Sequence, residues 1–129
     1  MMLLSEHFDS SEFLCKCNRR ECDAPKRPDP NLVTKLESLR SRLAHPIMIV
    51  SGLRCEYWNT QQGGKDGSAH LTGQAVDISC PEAIYRNLLL RSIYSAPILF
   101  RRVGVGKSFI HIDTATGIWA QDVCWTYYI

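Results

Sequence analysis

The amino-acid sequence predicts an α+β fold, with a small, mostly antiparallel sheet packed with about two main helices. Two stretches have apolar residues at helical spacing, one early and one in the middle of the chain, and short apolar or alternating segments lie between and after them. This order differs from the regular strand–helix alternation of a doubly wound sheet. A chain of 129 residues with 45% hydrophobic and 22% charged residues is typical of one globular domain, spanning residues 1–129.

The first third of the chain predicts an irregular segment followed by a helix. Residues 5–29 are polar, contain cysteines and prolines, and favour irregular structure with one short helix. Asp29 and Pro30 predict a helix start, because proline suits the first helical turn. His45 precedes Pro46 and predicts the helix end, because a residue before proline avoids the α region. The apolar face of this helix consists of Leu32, Val33, Leu36, Leu39 and Leu43.

The middle of the chain predicts two strands and a second helix. Residues 46–51 form a short apolar run typical of a buried strand, and residues 59–67 have the composition of a loop. Residues 75–79 predict the next strand. Pro81 predicts the start of the second helix, whose apolar positions are Ile84, Leu88, Leu89 and Ile93.

The last third predicts three strands. Residues 102–105 and 109–113 have the pattern of two strands joined by a tight Gly-Lys-Ser turn, and residues 125–128 indicate an edge strand. Trp58, Trp119 and the aromatic residues of this last segment are candidates for lining a groove, although packing is the more ordinary role of such residues.

Charge and hydropathy argue against nucleic-acid binding and against a membrane-spanning segment. The formal net charge is +2 and no dense run of Lys and Arg occurs, which argues against a nucleic-acid-binding protein. Residues 1–7 are too short and too polar for a signal peptide, and no apolar run reaches the length of a membrane span. We therefore expect a soluble protein that is made in the cytoplasm and acts elsewhere only if it is released. We also expect a monomer.

Six cysteines leave the redox state open. Cys15, Cys17 and Cys22 lie close together in sequence but lack the paired Cys-x-x-Cys spacing of a zinc ribbon, so free, bridged and metal-bound states all stay open. Cys55 and Cys80 are interpreted as buried structural thiols. Reduced cysteines are expected in a chain without a secretory signal.

Two His/Asp pairs indicate a metal site. His70 and Asp77 are seven positions apart, and His111 and Asp113 lie on one predicted strand. Because side chains alternate along a strand, Asp77 faces away from its apolar neighbours, and His111 shares a face with Asp113. His70, Asp77 and His111 therefore form a candidate zinc-ligand set. Asp113 would sit about 7 Å further along the strand, which suits it for orienting His111 or handling a proton.

The pattern Ser68-x-His70-x-x-Gly73-x-Ala75-x-Asp77 resembles the signature of the zinc D-Ala-D-Ala metallopeptidases, which also resemble the metal site of hedgehog signalling domains and of lysostaphin. The resemblance extends over nearly the whole chain. Upstream it includes the stretch 51–55, Trp58, Asn59 and the pair Gly63-Gly64, and downstream it includes residues 103–113. Glu12-Phe13 with the first cysteines resembles the amino-terminal edge of such domains.

The resemblance implies roles for individual residues. It implies one zinc ion bound by His70, Asp77 and His111. Arg54 matches the family arginine beside the substrate carbonyl, where a guanidinium would stabilise an oxyanion or bind a carboxylate. Ser68 matches a serine that would hydrogen-bond the substrate peptide.

The general base is the point at which the sequence departs from the family. Several members carry an acidic residue three positions before the last histidine ligand, and others carry a histidine two positions before it. Ser108 and Phe109 occupy these positions here. Asp113 is therefore the candidate catalytic base, and Asp66 is the second choice.

The implied activity is zinc-dependent hydrolysis of peptidoglycan stem peptides, as a D-Ala-D-Ala carboxypeptidase or an L,D-type endopeptidase. A short chain without a signal peptide is compatible with a phage or prophage cell-wall lysis enzyme (an endolysin). Two alternatives remain: a non-catalytic, zinc-containing cell-wall-binding module, and a cysteine hydrolase that uses Cys55 or Cys80 with His70 or His111.

Overall fold

The computed structural model describes residues 2–127 of the protein. Within this range the chain forms three α-helices and one five-stranded, mostly antiparallel sheet, which confirms the predicted α+β class. The helices are α1 (Pro30–Leu43), α2 (Glu56–Gln61) and α3 (Ala83–Tyr94). The strands are β1 (Ile49–Ser51), β2 (Ala75–Ser79), β3 (Arg102–Val105), β4 (Phe109–Asp113) and β5 (Val123–Thr126).

Helix α1 begins where the sequence predicts. The Asp29 side chain accepts hydrogen bonds from the backbone N–H groups of Asn31 and Leu32, and Pro30 occupies the first turn. The helix ends at Leu43, because Ala44 adopts a left-handed conformation with φ 59°. All five apolar positions predicted for this helix are buried.

The sheet has the strand order β1-β2-β4-β3-β5. All neighbouring pairs are antiparallel except β3 and β5, which are parallel. At the centre, Asp77 of β2 lies directly opposite His111 of β4, and Ala75 lies opposite Asp113. This register sets the positions of the polar side chains, because directly opposed residues of an antiparallel pair are close neighbours on one face.

The two faces of the sheet have different chemistry. One face packs on α1, α3 and the amino-terminal segment, and its apolar side chains include Val76, Ile78, Val103, Ile110 and Ile112. The intervening residues of the central strands, among them Asp77 and His111, therefore point to the opposite face. This alternation confirms the predicted orientation of Asp77, His111 and Asp113.

Several details of the sequence-based prediction were wrong. Ile84 is 80% exposed and Leu88 is 37% exposed, so α3 contacts the core mainly through Leu89 and Ile93, which are four residues apart. The predicted loop 59–67 begins too early, because α2 continues to Gln61. The last predicted strand, 125–128, begins earlier than expected, at Val123, and its predicted end at Tyr128 lies outside the described residues.

Two further expectations concern the first strand and the membrane. Strand β1 is shorter than the apolar run 46–51, and it begins at Ile49. Across residues 2–127, no helix has both the length and the hydropathy needed to cross a membrane.

Candidate metal centre

Three side chains with metal-binding atoms converge on the sheet face opposite the core. His70, Asp77 and His111 each offer one ligand atom, and these atoms all lie within 4.8 Å of one another. All three residues are buried, with at most 7% of their surface exposed. Buried imidazole and carboxylate groups at such short range require partners, and one metal ion is a partner that all three could share.

A short turn before β2 positions His70. Residues Ala69–Thr72 form a 3-10 helix, and the Ser68 hydroxyl accepts a hydrogen bond from the His70 N–H at its start. His70 Nδ1 lies 2.7 Å from the Gly52 carbonyl oxygen, so Nδ1 donates and carries the proton. The lone pair of Nε2 therefore points towards Asp77. Gly73, with φ 75°, ends the turn in a left-handed conformation that a residue with a Cβ rarely adopts.

The pairing of β2 with β4 sets the other two donors. His111 Nδ1 lies 2.9 Å from Asp77 Oδ1, and His70 Nε2 lies 3.4 Å from the same oxygen. Nitrogen and oxygen ligands about 2.0–2.1 Å from a tetrahedral zinc ion are separated by about 3.3–3.4 Å. The donor set and its spacing therefore fit Zn²⁺ with small side-chain adjustments.

Asp113 accepts a hydrogen bond from the second ring nitrogen of His111 and so sets the tautomer of that ring. Its Oδ2 lies 2.8 Å from His111 Nε2, while its Oδ1 accepts hydrogen bonds from Arg102 Nε at 2.7 Å and from the Ala115 N–H at 3.1 Å. A carboxylate that accepts the N–H of a ligating histidine sets its tautomer and ring orientation. With Nε2–H directed at Asp113, the lone pair of Nδ1 is available on the side of Asp77.

Burial and hydrogen bonding control protonation at the site. Burial lowers the pKa of His70 and favours the neutral imidazole that a metal needs. Burial alone would raise the pKa of Asp77, but the hydrogen bonds that His111 and His70 donate when the nitrogens facing Asp77 are protonated outweigh it and hold that pKa below its ordinary value. Burial likewise opposes a charge on His111, yet the hydrogen bonds to Asp113 and Asp77 raise its pKa. A proton on His111 therefore competes with a metal ion for Nδ1.

Arg54 lies beside this cluster in a buried hydrogen-bond network. Its Nε donates to Ser51 Oγ at 3.1 Å, one terminal nitrogen donates to Asn59 Oδ1 at 3.1 Å, and the other lies 3.4 Å from Asp77 Oδ2. The Asn59 amide nitrogen donates to the Lys65 carbonyl at 2.9 Å. Burial lowers the pKa of Arg54, although a guanidinium stays charged at neutral pH. Sequence reasoning assigned no role to Asn59, whose buried amide connects Arg54 to the following loop.

The cluster opens into a cleft of about 730 Å³ with one aromatic wall. Trp125 and Tyr127 form this wall, with ring centroids 5.4 Å and 6.3 Å from the His111 ring. Gly104 lies opposite His111 in the sheet, and a Cβ there would come within 2.6 Å of both aromatic side chains. A glycine at this position therefore lets the aromatic wall approach the cluster of His70, Asp77 and His111.

Arg102 is a second site residue that sequence reasoning missed. It pairs with Asp113, and its guanidinium carbon lies 5.3 Å from the Trp119 ring and 5.0 Å from the Trp125 ring. Strand alternation was the only sequence signal that could have indicated this contact, because Arg102 lies opposite Asp113 once β3 is paired with β4.

The remaining sequence-predicted residues divide into two groups. Arg54, Ser68, Trp119, Trp125 and Tyr127 line the cleft. Asp66, Trp58 and Ser108 are absent from its described lining, and so are the described cysteines, which leaves the cysteine-hydrolase alternative without a nucleophile at the site. Tyr128 lies outside the described residues.

Comparison with known proteins identifies the family. A family model described as Peptidase M15 matches residues 6–113, which include every predicted metal ligand. A search of curated proteins found no match. Because the family match spans most of the sequence and includes the donor cluster, the chain belongs to the peptidase M15 family, the zinc D-Ala-D-Ala metallopeptidases.

Proposed function

We propose that the protein hydrolyses peptidoglycan stem peptides, either as a D-Ala-D-Ala carboxypeptidase or as an L,D-type endopeptidase. The observation that carries this proposal is the set of three buried donors, His70, Asp77 and His111, in an open cleft. Membership of a zinc peptidase family supports hydrolysis of a peptide bond. The resemblance to D-Ala-D-Ala metallopeptidases supports the choice of peptidoglycan.

In the proposed holoenzyme, His70 through Nε2, Asp77 through its carboxylate and His111 through Nδ1 hold one zinc ion. Three protein ligands are typical of catalytic zinc sites, which keep one position open, whereas structural sites have four. Zn²⁺ bound there supplies Lewis-acid activation of water and of the scissile carbonyl.

Arg54 is proposed to stabilise the oxyanion of the tetrahedral intermediate. A guanidinium has five N–H donors, and three are directed at Ser51, Asn59 and Asp77, so two remain for the substrate. The three contacts hold the group in one orientation before substrate binds. Donors that are already oriented stabilise developing charge without reorganisation during the reaction.

Asp113 is proposed to act through His111. The sequence left two roles open for this residue, orienting His111 or accepting a proton from water. Both carboxylate oxygens have partners, His111 on one side and Arg102 with the Ala115 N–H on the other. The carboxyl is also almost fully buried. These contacts support the orienting role, while direct proton acceptance by Asp113 stays a prediction that a pH profile tests.

Ser68 and the aromatic wall are proposed to bind the peptide. The Ser68 hydroxyl accepts a hydrogen bond from the His70 N–H, which leaves its own O–H to donate to a substrate carbonyl. Trp125 and Tyr127 offer flat apolar surfaces beside the donor cluster. Lys65, which also lines the cleft, supplies a positive charge for a peptide carboxylate.

A specific observation supports the second candidate, a non-catalytic cell-wall-binding module. Asp77 and Asp113 are the only carboxylates in the described lining of the cleft, and both are engaged by histidine. Ser108 occupies the position at which several family members carry an acidic base. A site of this kind would bind zinc and peptide without turnover.

Digestion of defined muropeptides distinguishes these functions. Zinc-loaded protein is incubated with a pentapeptide muropeptide, and product masses show whether the terminal D-Ala or an internal bond is cut. His70→Ala protein is the control for contaminating hydrolases. Absence of any product from muropeptides and from purified sacculi, together with co-sedimentation of the protein with sacculi, would support the binding module instead.

The biological role proposed is lysis of a bacterial cell wall in a phage or prophage cycle. Release of the protein to the wall is required for that role. Expression in bacteria with and without a membrane-permeabilising holin tests it, and lysis that depends on both the holin and His70 is the expected result.

A further inference from the structure

A second group of potential metal ligands lies outside the peptidase site. Cys15, Cys17 and Cys22 come from the irregular segment that follows the 3-10 helix Ser10–Phe13, and Cys55 is the residue that precedes α2. The four Sγ atoms all lie within 4.8 Å of one another. The fold thus brings Cys55 close to three cysteines that are distant from it in the sequence. These four thiols can then act as one group of ligands.

The distance between two of these sulfurs is compatible with a shared metal ion and too long for a disulfide bond. Cys15 Sγ and Cys55 Sγ are 3.8 Å apart. A disulfide bond is about 2.05 Å long. Two thiolates on a tetrahedral zinc ion, each about 2.3 Å from the metal, are about 3.8 Å apart. All described cysteines are free thiols, so the four sulfurs are available as ligands.

Backbone N–H groups point at three of the four sulfurs. The Cys55 N–H donates to Cys15 Sγ, the Trp58 N–H donates to Cys55 Sγ, and the Arg19 N–H donates to Cys17 Sγ, each at 3.4 Å. The last contact follows from Asn18, whose φ of 56° turns the chain back towards Cys17. Hydrogen bonds of this kind orient metal ligands and stabilise the negative charge of a thiolate.

Two basic side chains beside the four cysteines suit a thiolate-rich metal centre. Four thiolates outweigh the charge of one divalent cation, so the complex is anionic. Lys16, Arg19 and Arg20 lie in the same short segment, together with the acidic residues Glu21 and Asp23. The Lys16 ammonium is held on the Val50 carbonyl at 2.9 Å, and the Arg19 guanidinium lies over the Tyr57 ring at 4.1 Å, so both cations remain near the cluster.

We propose that Cys15, Cys17, Cys22 and Cys55 bind a second, structural zinc ion. Four thiolates complete a tetrahedral zinc coordination and leave no open position for water, so this site has no hydrolytic role. The inference is independent of the proposed peptidase function, because no residue is shared between the two sites.

The second ion would also limit movement of residues in the peptidase site. Cys55 is adjacent to Arg54 in the chain and begins α2, the helix that carries Asn59. Asn59 accepts the hydrogen bond of Arg54. Nearby, the Leu53 N–H donates to the Phe13 carbonyl at 2.8 Å, so the amino-terminal segment is already attached at this point. A metal joining Cys55 to three cysteines of that segment would restrict movement of Arg54.

The test counts metal ions in the full-length protein purified under reducing conditions. We expect two zinc ions per chain in the unmodified protein and one in both Cys22→Ser and His70→Ala. Cys124→Ser is the matched control, because Cys22 and Cys124 are both exposed but only Cys22 belongs to the cluster, and it should keep two ions.

Cobalt substitution identifies which site holds the retained ion. A thiolate-to-cobalt charge-transfer band is expected in the unmodified protein and in His70→Ala, and its loss is expected in Cys22→Ser. The spectrum of the unmodified protein needs no variant, so it remains informative if Cys22→Ser does not fold. Absence of the thiolate band from the unmodified protein, or a Cys15–Cys55 disulfide in non-reducing peptide mapping, would overturn the proposal. Failure of muropeptide hydrolysis would leave the thiolate band unchanged.

Discussion

The two donor clusters of this protein are built in different ways. His70, Asp77 and His111 rest on the turn before β2 and on the paired strands β2 and β4, whose register brings Asp77 and His111 face to face. The four cysteines lie in irregular chain and at the start of a short helix. The first cluster owes its geometry to sheet pairing, whereas the second depends on the attachment of the amino-terminal segment to the residues around Cys55.

The difference in construction corresponds to a difference in access. The histidine and aspartate donors line an open cleft, and three ligands would leave one coordination position of a zinc ion open for water. The cysteines supply four donors and no open position. A rigid sheet thus suits a site that must hold reacting groups, while a site that only joins segments can be made from irregular chain.

Loss of a ligand from the sheet-based cluster should have the largest effect on activity. His70→Ala is expected to lower kcat/KM roughly 1,000-fold or more, because a metal ion supplies several kcal/mol of transition-state stabilisation. Bound zinc, measured by mass spectrometry, should fall by one ion per chain. His45→Ala, an exposed histidine outside both clusters, is the control and should leave both quantities unchanged. Full activity with reduced zinc would contradict the assignment.

Removal of Arg54 tests the hydrogen-bond donors beside the cluster. Arg54→Ala is expected to lower kcat/KM about 100- to 1,000-fold, as for loss of one oxyanion donor. Zinc content should be retained, because Arg54 is not among the proposed ligands. Arg101→Ala is a matched control, since this arginine forms an exposed ion pair with Asp122 and should change activity little. A loss of less than threefold would remove Arg54 from the catalytic step.

Asp113→Asn separates orientation of His111 from proton transfer. If Asp113 acts through His111, we expect a loss of about 10- to 100-fold in zinc affinity or activity. Added zinc should then restore part of the rate, and the acidic limb of the pH–rate profile should keep its position. Disappearance of that limb at full zinc occupancy would show instead that Asp113 accepts the proton.

Disruption of the cysteine cluster should affect stability more than chemistry. For Cys22→Ser we expect kcat/KM within about tenfold of the unmodified protein, because the cluster is outside the cleft, and Arg54 keeps its hydrogen bonds. The free energy of unfolding should fall by on the order of 4 kcal/mol when free zinc exceeds its Kd about 1,000-fold. Denaturant unfolding with and without zinc measures this difference. Equal stability of Cys22→Ser and Cys124→Ser would show that the cysteines contribute no metal-linked stability.

Sequence patterns predicted the side-chain orientation in the sheet-based cluster for physical reasons. Alternation along residues 75–79 and 109–113 indicated which side chains face away from the core, and the structure has this arrangement. The ligand assignment itself stays a prediction, supported by the distances. Arg102 was missed because its contact with Asp113 depends on the pairing of β3 with β4, which the chain order alone does not reveal.

The rest of the molecule was harder to predict where local patterns are weak. Helix α3 has apolar residues on more than one side. The sequence-based prediction therefore placed Ile84 and Leu88 in the core, although both are exposed. Irregular chain has no periodicity, so nothing in the sequence brings Cys55 to Cys15. The sequence left the state of the first three cysteines open, and only the folded arrangement adds the fourth thiol.

The aromatic wall of the cleft stands on an edge strand. Strand β5, which carries Trp125, pairs only with β3 within the described sheet, while the donors Asp77 and His111 lie on β2 and β4. Side chains on an edge strand can change without altering the register of the central strands. Under the proposed function, the aromatic part of the peptide-binding surface and the metal ligands lie on separately variable strands, so we expect directed evolution at residues 123–127 to change substrate preference while the ligands stay unchanged.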